Sequence, residues 1–257
     1  MAGNTRSPGQ SQAGRIVALL RSFDQNHRRQ RLTQIARRAE IPVGTCHRMV
    51  NELVRLQVLV RRADGTYSVG HLMWELGMLS PVQRGLRETA APFMQDLLAA
   101  TRQVVNLFVL EGHSVLLLER FAGSAVGRPI AAPGERLPLH TSASGKIFLA
   151  YGAMGLDELL AHGLDQETEH SITDVARLRT EILHVRQRGW ATTSQEHHAG
   201  AWGLAVPVTG EDHRVVAALG IVALSEIKDP DVVLPALKVA SSAISRSLRY
   251  RTLLEDS

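Results

Sequence analysis

The stretch Leu32-Thr-Gln-Ile-Ala-Arg-Arg-Ala-Glu-Ile-Pro-Val-Gly-Thr-Cys-His-Arg-Met-Val-Asn-Glu-Leu53 reads as two short helices joined by a tight turn. Such a pair is a helix-turn-helix, which presents its second helix to the major groove of DNA. Thr33 reads as the N-cap of the first helix, on which Leu32, Ile35, Ala36 and Ala39 share a face, and it is counted with the DNA-facing residues. Pro42 ends the turn. Cys46, Met49, Val50 and Leu53 then recur at i, i+3, i+4 and i+7, face the core, and leave Thr45, His47, Arg48, Asn51, Glu52 and Arg55 outward.

Upstream of this pair, Ile16, Leu19, Leu20 and Phe23 mark another helix. Downstream, Val58–Ala63 and Thr66–Val69 flank Asp64-Gly65 and read as two strands around a hairpin turn, the wing of a winged helix-turn-helix. Arg61 and Arg62 stand just before its tip, within reach of the sugar-phosphate backbone or a minor groove. Residues 11–70 therefore form one DNA-binding module, ordered helix, helix, helix, wing. Its charge agrees: residues 1–70 hold twelve arginines, no lysine and four acids, a net charge of +8. The remaining residues hold 17 bases against 21 acids, a net charge of −4, and are expected to face away from DNA.

Beyond the wing, Leu72, Met73, Leu76 and Leu79 fall at helical spacing and are closed by Pro81, which marks residues 71–91 as a linker helix. The stripe needs a covering surface, and a second copy of the chain is the expected one. A helix follows from about Arg87 to Thr101. The pattern then changes to strands at Val104–Glu111, Val115–Phe121, Trp190–Ser194, Leu204–Val208 and Val215–Leu224, with helices near Ser144–Tyr151, Leu156–His162, Val175–Arg188 and Val232–Leu254. Residues 92–257 are thus an α+β sensor domain.

The longest apolar run, Val215–Leu224, is ten residues with a glycine inside, whereas a membrane span needs about 20. No membrane partner is expected. Met1–Gln10 has no hydrophobic region and reads as a disordered tail, and a single cysteine, Cys46, forms no intrachain disulfide; a cytoplasmic setting fits both. Cys46 lies on the inner helix face and reads as a packed core thiol.

Over nearly its whole length, from about Arg15 to the last helix, the chain resembles the IclR family of transcriptional regulators. The matches are Ile35-Ala36, Ile41-Pro42, Thr45 with His47-Arg48, Tyr67-Ser-Val-Gly70, Leu137-Pro-Leu-His140, Ser144-Gly-Lys146, Arg188-Gly-Trp190, Glu196-His197 and Ala205-Val-Pro-Val208. The resemblance implies an N-terminal winged helix-turn-helix, a linker helix and a C-terminal GAF-like effector-binding domain. It also implies a homodimer or dimer of dimers on a palindromic double-stranded operator, here a repressor of a catabolic operon without cofactor. Two departures stand in the DNA-binding pair. Val43-Gly44 replaces the Lys-Ser usual in members, removing a phosphate contact, and Glu40 replaces the usual turn glycine. On the outer face, Arg48 suits guanine or phosphate, Asn51 suits adenine and Thr45 suits phosphate.

In members that sense small carboxylates, the backbone at the positions of Ala143 and Ser144 meets the ligand at a helix N-terminus, which Ser142 would cap here. An acidic residue, a cysteine and two hydroxyls complete their sites, and the equivalents here are Thr193, Gly203, Gly220 and Val222. Ala201 and Gly203 share a strand face, with Trp202 turned away. Smaller, less polar walls favour a larger organic acid, aromatic rather than glyoxylate-sized, with its acid group at the Ala143 and Ser144 amides. Gly203→Leu is expected to fill ligand volume alone.

The alternative is a hydrolase carrying an accessory basic module, with its site in His140-Thr-Ser-Ala-Ser-Gly-Lys146. A nucleophile elbow at Ser144 needs glycine where Ser142 stands, and a P-loop needs glycine at His140 and a hydroxyl at Ile147. Neither test is met, so no catalytic residue is assigned. Lys146 reads instead as a helix-surface or structural ion-pair residue. His197-His198 lacks accompanying metal-ligand motifs and is read on a strand, where neighbours face opposite ways, so no metal site is assigned.

Overall fold

The computed structural model describes residues 11–24, 26–79, 84–123, 131–224 and 229–255, so Met1–Gln10 and Pro81 lie outside the described residues. The chain divides into two compact units, Met1–Val82 and Gln83–Ser257, and the division falls inside the segment 71–91.

In the first unit, α1 (Gln12–Arg21), α2 (Leu32–Arg38) and α3 (Val43–Arg55) precede β1 (Leu59–Arg61), β2 (Tyr67–Val69) and α4 (His71–Met78). Leu19, Ile35, Cys46, Val50, Leu53, Leu59 and Tyr67 close one apolar core, which is why the 3.6-residue pattern of α3 faces inward. Burial also pushes the Cys46 thiol up from its ordinary value, as befits a packed thiol. Thr33 is not the N-cap. Arg31 occupies that place, its N–H donates to Gln34 Oε1 at 2.7 Å, and Thr33 sits exposed in the first turn, because the longer Gln34 side chain reaches back to do the capping.

The turn after α2 is a Schellman closure. Ile41 N–H donates to Ala36 O at 3.0 Å and Glu40 N–H to Arg37 O at 3.3 Å, which holds Glu40 at φ 54. The wing turn spans Ala63-Asp64-Gly65: Arg62 N–H donates to Thr66 O at 2.8 Å, Asp64 Oδ1 accepts from Thr66 N–H at 3.0 Å, and Gly65 takes φ 76.

In the second unit, α5 (Arg84–Thr101) leads into β3 (Val104–Glu111) and β4 (Ser114–Phe121). Then come β5 (Arg136–Pro138), α6 (Ala143–Ala150), α7 (Leu156–Leu160), α8 (Val175–Arg188), β6 (Ala191–Ser194), β7 (Trp202–Thr209), β8 (Val215–Ala223) and α9 (Leu234–Glu255). The strands form one antiparallel sheet in the order β5-β4-β3-β8-β7-β6. Period-two alternation divides its side chains between two cores. Val105, Leu107, Leu204, Val206, Leu219 and Ile221 pack with Met94, Leu97, Leu237 and Ile244 of α5 and α9. Phe108, Ala205 and Ala218 face the other way, towards Ala143, Ile147, Phe148, Leu178 and Val185 of α6 and α8. This is the α+β architecture read from the sequence, with β5 as an additional edge strand.

Two contacts fix α6 on its face of the sheet. A Cβ at Gly145 would lie 2.3 Å from Leu139 O, so only glycine allows this approach. One residue on, Lys146 Nζ donates to Glu196 Oε1 at 2.8 Å and to Thr192 O at 3.2 Å, with side chains only 1 % and 9 % exposed. Burial pushes the Glu196 carboxyl up from its ordinary value while Lys146 draws it back.

Two stability measurements follow, both by denaturant unfolding of the full chain. Glu40→Gly relieves the left-handed strain and is expected to stabilise by about 0.5–1 kcal/mol, after glycine's greater unfolded freedom is set against it. Lys146→Met strands a buried carboxylate and should cost about 3–5 kcal/mol, whereas Lys146→Met with Glu196→Leu should recover most of that loss.

Candidate DNA interface and effector pocket

On α3, His47, Arg48, Asn51 and Arg55 are exposed and Thr45 is half-buried. Asn51 Nδ2 lies 3.2 Å from His47 Nε2, one turn away, and Arg55 Nη2 donates to Glu52 Oε1 at 2.6 Å. Arg55 is thus paired with an acid on its own helix, while Arg48 stands exposed between the two pairs. The wing presents exposed Arg61 and Arg62, with Arg62 Nε within 3.3 Å of Ser68 Oγ. The second module strand is held from both edges, since Tyr67 and Gln30 exchange backbone bonds of 2.7 and 3.0 Å.

In the second unit, Ser142 caps α6: its Oγ accepts from Gly145 N–H at 3.1 Å and donates to Pro138 O at 2.7 Å. The first turn of α6 borders a cavity of about 90 Å³ between helix and sheet. The structure gathers Ser142, Ala143, Ser144, Thr193, Ala201, Gly203, Gly220 and Val222 around this one space. Cross-strand register explains the grouping, because Thr193 pairs with Gly203 and Gly203 with Val222, and Gly220 pairs with Ala205.

Three expectations need correction. His197 and His198 lie in the loop between β6 and β7 and both border the cavity, so strand alternation does not separate them. Burial lowers His197 from its ordinary value, which favours the uncharged imidazole. Trp202 borders the cavity as well, at the end of its strand. Nor does Gly203→Leu fill ligand volume alone: a Cβ there would lie 2.6 Å from Thr193 Oγ1, and one at Gly220 3.0 Å from Leu204 O. These glycines make room for neighbouring protein atoms as much as for a ligand.

Sequence reasoning missed Arg120, Asn106 and Thr141, all of which line the cavity. Asn106 and Thr141 are 3 % and 0 % exposed, and Asn106 Oδ1 and Thr141 Oγ1 have no partner among the described residues. Arg120 escaped because β4 carries a bulge. Leu107 pairs with Glu119 and Phe108 with Leu117, which leaves Leu118 extra and places Arg120 opposite Asn106 on the cavity face. In the cluster weighed as the alternative hydrolase site, the two titratable ends are held structurally: His140 Nε2 is 2.9 Å from Asp165 O, and Lys146 is engaged as above. Among the described residues no group of His, Cys, Asp or Glu is arranged to hold a metal, and no helix is long and apolar enough to cross a membrane.

A basic helix-turn-helix with a wing, joined to a sheet domain with a largely apolar cavity that carries a few polar groups, defines a DNA-binding protein with a sensor domain. Residues 12–63 match the IclR helix-turn-helix domain and residues 80–246 the bacterial transcriptional regulator IclR C-terminal domain. The chain belongs to the IclR family, whose members are transcriptional regulators and not enzymes. Among similar proteins, a crystal structure of an IclR homolog complexed with 4-hydroxybenzoate from Microbacterium hydrocarbonoxydans is 31% identical, with a TM-score of 0.84 over 93% of this chain and 100% of that one. The Pca regulon regulatory protein of Pseudomonas putida is 30% identical over 80% of this chain and 72% of its own. The transcriptional repressor IclR of Escherichia coli is 27% identical over 85% of this chain and 82% of its own.

The two arginine sets should separate in binding assays. Arg48→Ala is expected to weaken specific binding by about 1–3 kcal/mol and leave non-specific binding little changed. Arg61→Ala with Arg62→Ala should weaken all duplexes alike and flatten the salt dependence. Equal loss on specific and random DNA for Arg48→Ala would remove it from base readout.

Proposed function

We propose that this regulator is a homodimer or dimer of dimers that represses a catabolic operon from a palindromic operator and responds to an aromatic organic acid. The observation that carries the effector reading is the cavity under α6, where an apolar body formed by Phe108, Val222 and Leu137 meets a few buried polar groups. That mixture suits a ring with polar substituents. The 4-hydroxybenzoate bound by the Microbacterium homolog and the repressor name of the Escherichia coli relative support the same reading. Oligomerisation is supported by α4, where Trp74 is 61 % exposed and Leu76 and Leu79 join it at the surface, an apolar stripe that a second copy would cover.

Calorimetry of the full chain against benzoate, 4-hydroxybenzoate, glyoxylate and pyruvate tests the effector class. Aromatic acids should bind more tightly than the short ones. Val222→Phe, which fills the cavity from β8, should abolish aromatic binding while DNA binding persists. Tighter binding of glyoxylate, or unchanged aromatic binding in Val222→Phe, would contradict the reading.

A further inference from the structure

Resting on the effector pocket just proposed, the geometry points to Arg120 as its anion-binding and specificity-determining residue: we infer that the effector's carboxylate lies against Arg120 and Asn106 on the β3–β4 side, and that a second polar oxygen meets the α6 amides. This reverses the orientation expected from the sequence, in which the acid group sits at Ala143 and Ser144.

Three observations carry it. Arg120 is half-buried and lines the cavity, and its guanidinium has no hydrogen-bond or ion-pair partner among the described residues. A cation drawn partly out of water without an acceptor is a ready partner for whatever negative charge enters the cavity. The adjacent acid does not. Glu119 points to the opposite face, where its Oε2 accepts from Arg87 at 2.7 and 3.0 Å. Burial also lowers the Arg120 guanidinium from its ordinary value, and no acid among the described residues raises it back.

The second observation is the bulge at Leu118. Without it, strand alternation would put Arg120 with Leu116 and Leu118 on the α5–α9 side, so an irregularity in β4 is what turns this one cation into the cavity. Third, Asn106 stands directly across the strand pair from Arg120, 3 % exposed and with its Oδ1 unpartnered; that oxygen is placed to accept from the guanidinium, which leaves Nδ2–H as the group to donate to a carboxylate.

The opposite end is α6, which starts over Gly203: Ala143 Cβ would be 3.5 Å from a Cβ at that glycine. Between β4 and β7 lie β3 and β8, and strand spacing sets the two ends about 14 Å apart at the backbone. An arginine side chain and one benzenoid ring together bridge that gap. A full charge outcompetes the partial charge of a helix N-terminus for a carboxylate, which leaves the weaker α6 end for a hydroxyl or similar oxygen.

The test compares 4-hydroxybenzoate with its neutral isostere 4-hydroxybenzamide by calorimetry, on the wild-type chain, Arg120→Met and Arg120→Lys. Wild type should prefer the acid by about tenfold or more, Arg120→Met should lose that preference, and Arg120→Lys should restore part of it. The melting temperature of unliganded Arg120→Met should be equal to or above wild type, because an unanswered charge has been removed, whereas a structural role would lower it. If Arg120→Met keeps the acid preference, the carboxylate sits at α6 and the inference is overturned while the pocket reading stands. If the wild-type chain binds neither compound nor any other aromatic acid, both fail.

Discussion

The placement of α6 on the sheet is the constraint from which the sensor unit's organisation follows. Gly145 brings the helix against the Leu139 backbone at a distance that no side chain allows, and the buried Lys146–Glu196 pair ties it to the loop after β6. That loop is itself held by Ser171 Oγ, which donates to Glu196 O at 2.7 Å, and by Thr168 Oγ1, which donates to Gln195 O at 2.7 Å. One ion pair thus sets both the helix end and the histidine loop that border the cavity. Such a pair contributes little net stability over an apolar replacement, but it specifies one arrangement of two elements that must stay in register.

The same division between rigidity and readiness runs through the DNA-binding unit. Its core is apolar and closed, while its outer helix face carries short-range exposed pairs, His47 with Asn51 and Arg55 with Glu52. Glu40 at φ 54 places an acid and a strained residue in the turn between the two helices. The acid works against DNA attraction and the left-handed backbone against turn stability.

Elements with a strong period were legible in the sequence: α3, α8, β3 and the wing appear as read, because apolar residues at 3.6 or 2 spacing have one way to reach a core. The cavity wall was legible through motif order, since residues distant in sequence, such as Thr193, Gly203 and Val222, are neighbours across paired strands. What was not legible depended on irregular backbone. The bulge at Leu118 moves Arg120 to the other face, the loop at Gln195–Gly200 turns two adjacent histidines toward one cavity, and Gln34 takes the cap expected of Thr33. β5, only three residues long, carries too little alternation to show.

The account rests on one chain that binds DNA through its basic unit and changes that binding when its cavity is filled. Equilibrium anisotropy of the full chain on a duplex from its own upstream region, across a salt series with and without saturating 4-hydroxybenzoate, measures both at once. The affinity should fall steeply and linearly on logarithmic salt axes, and the acid should shift specific affinity by about 5- to 150-fold. A specific affinity that is the same with and without bound acid would contradict the account.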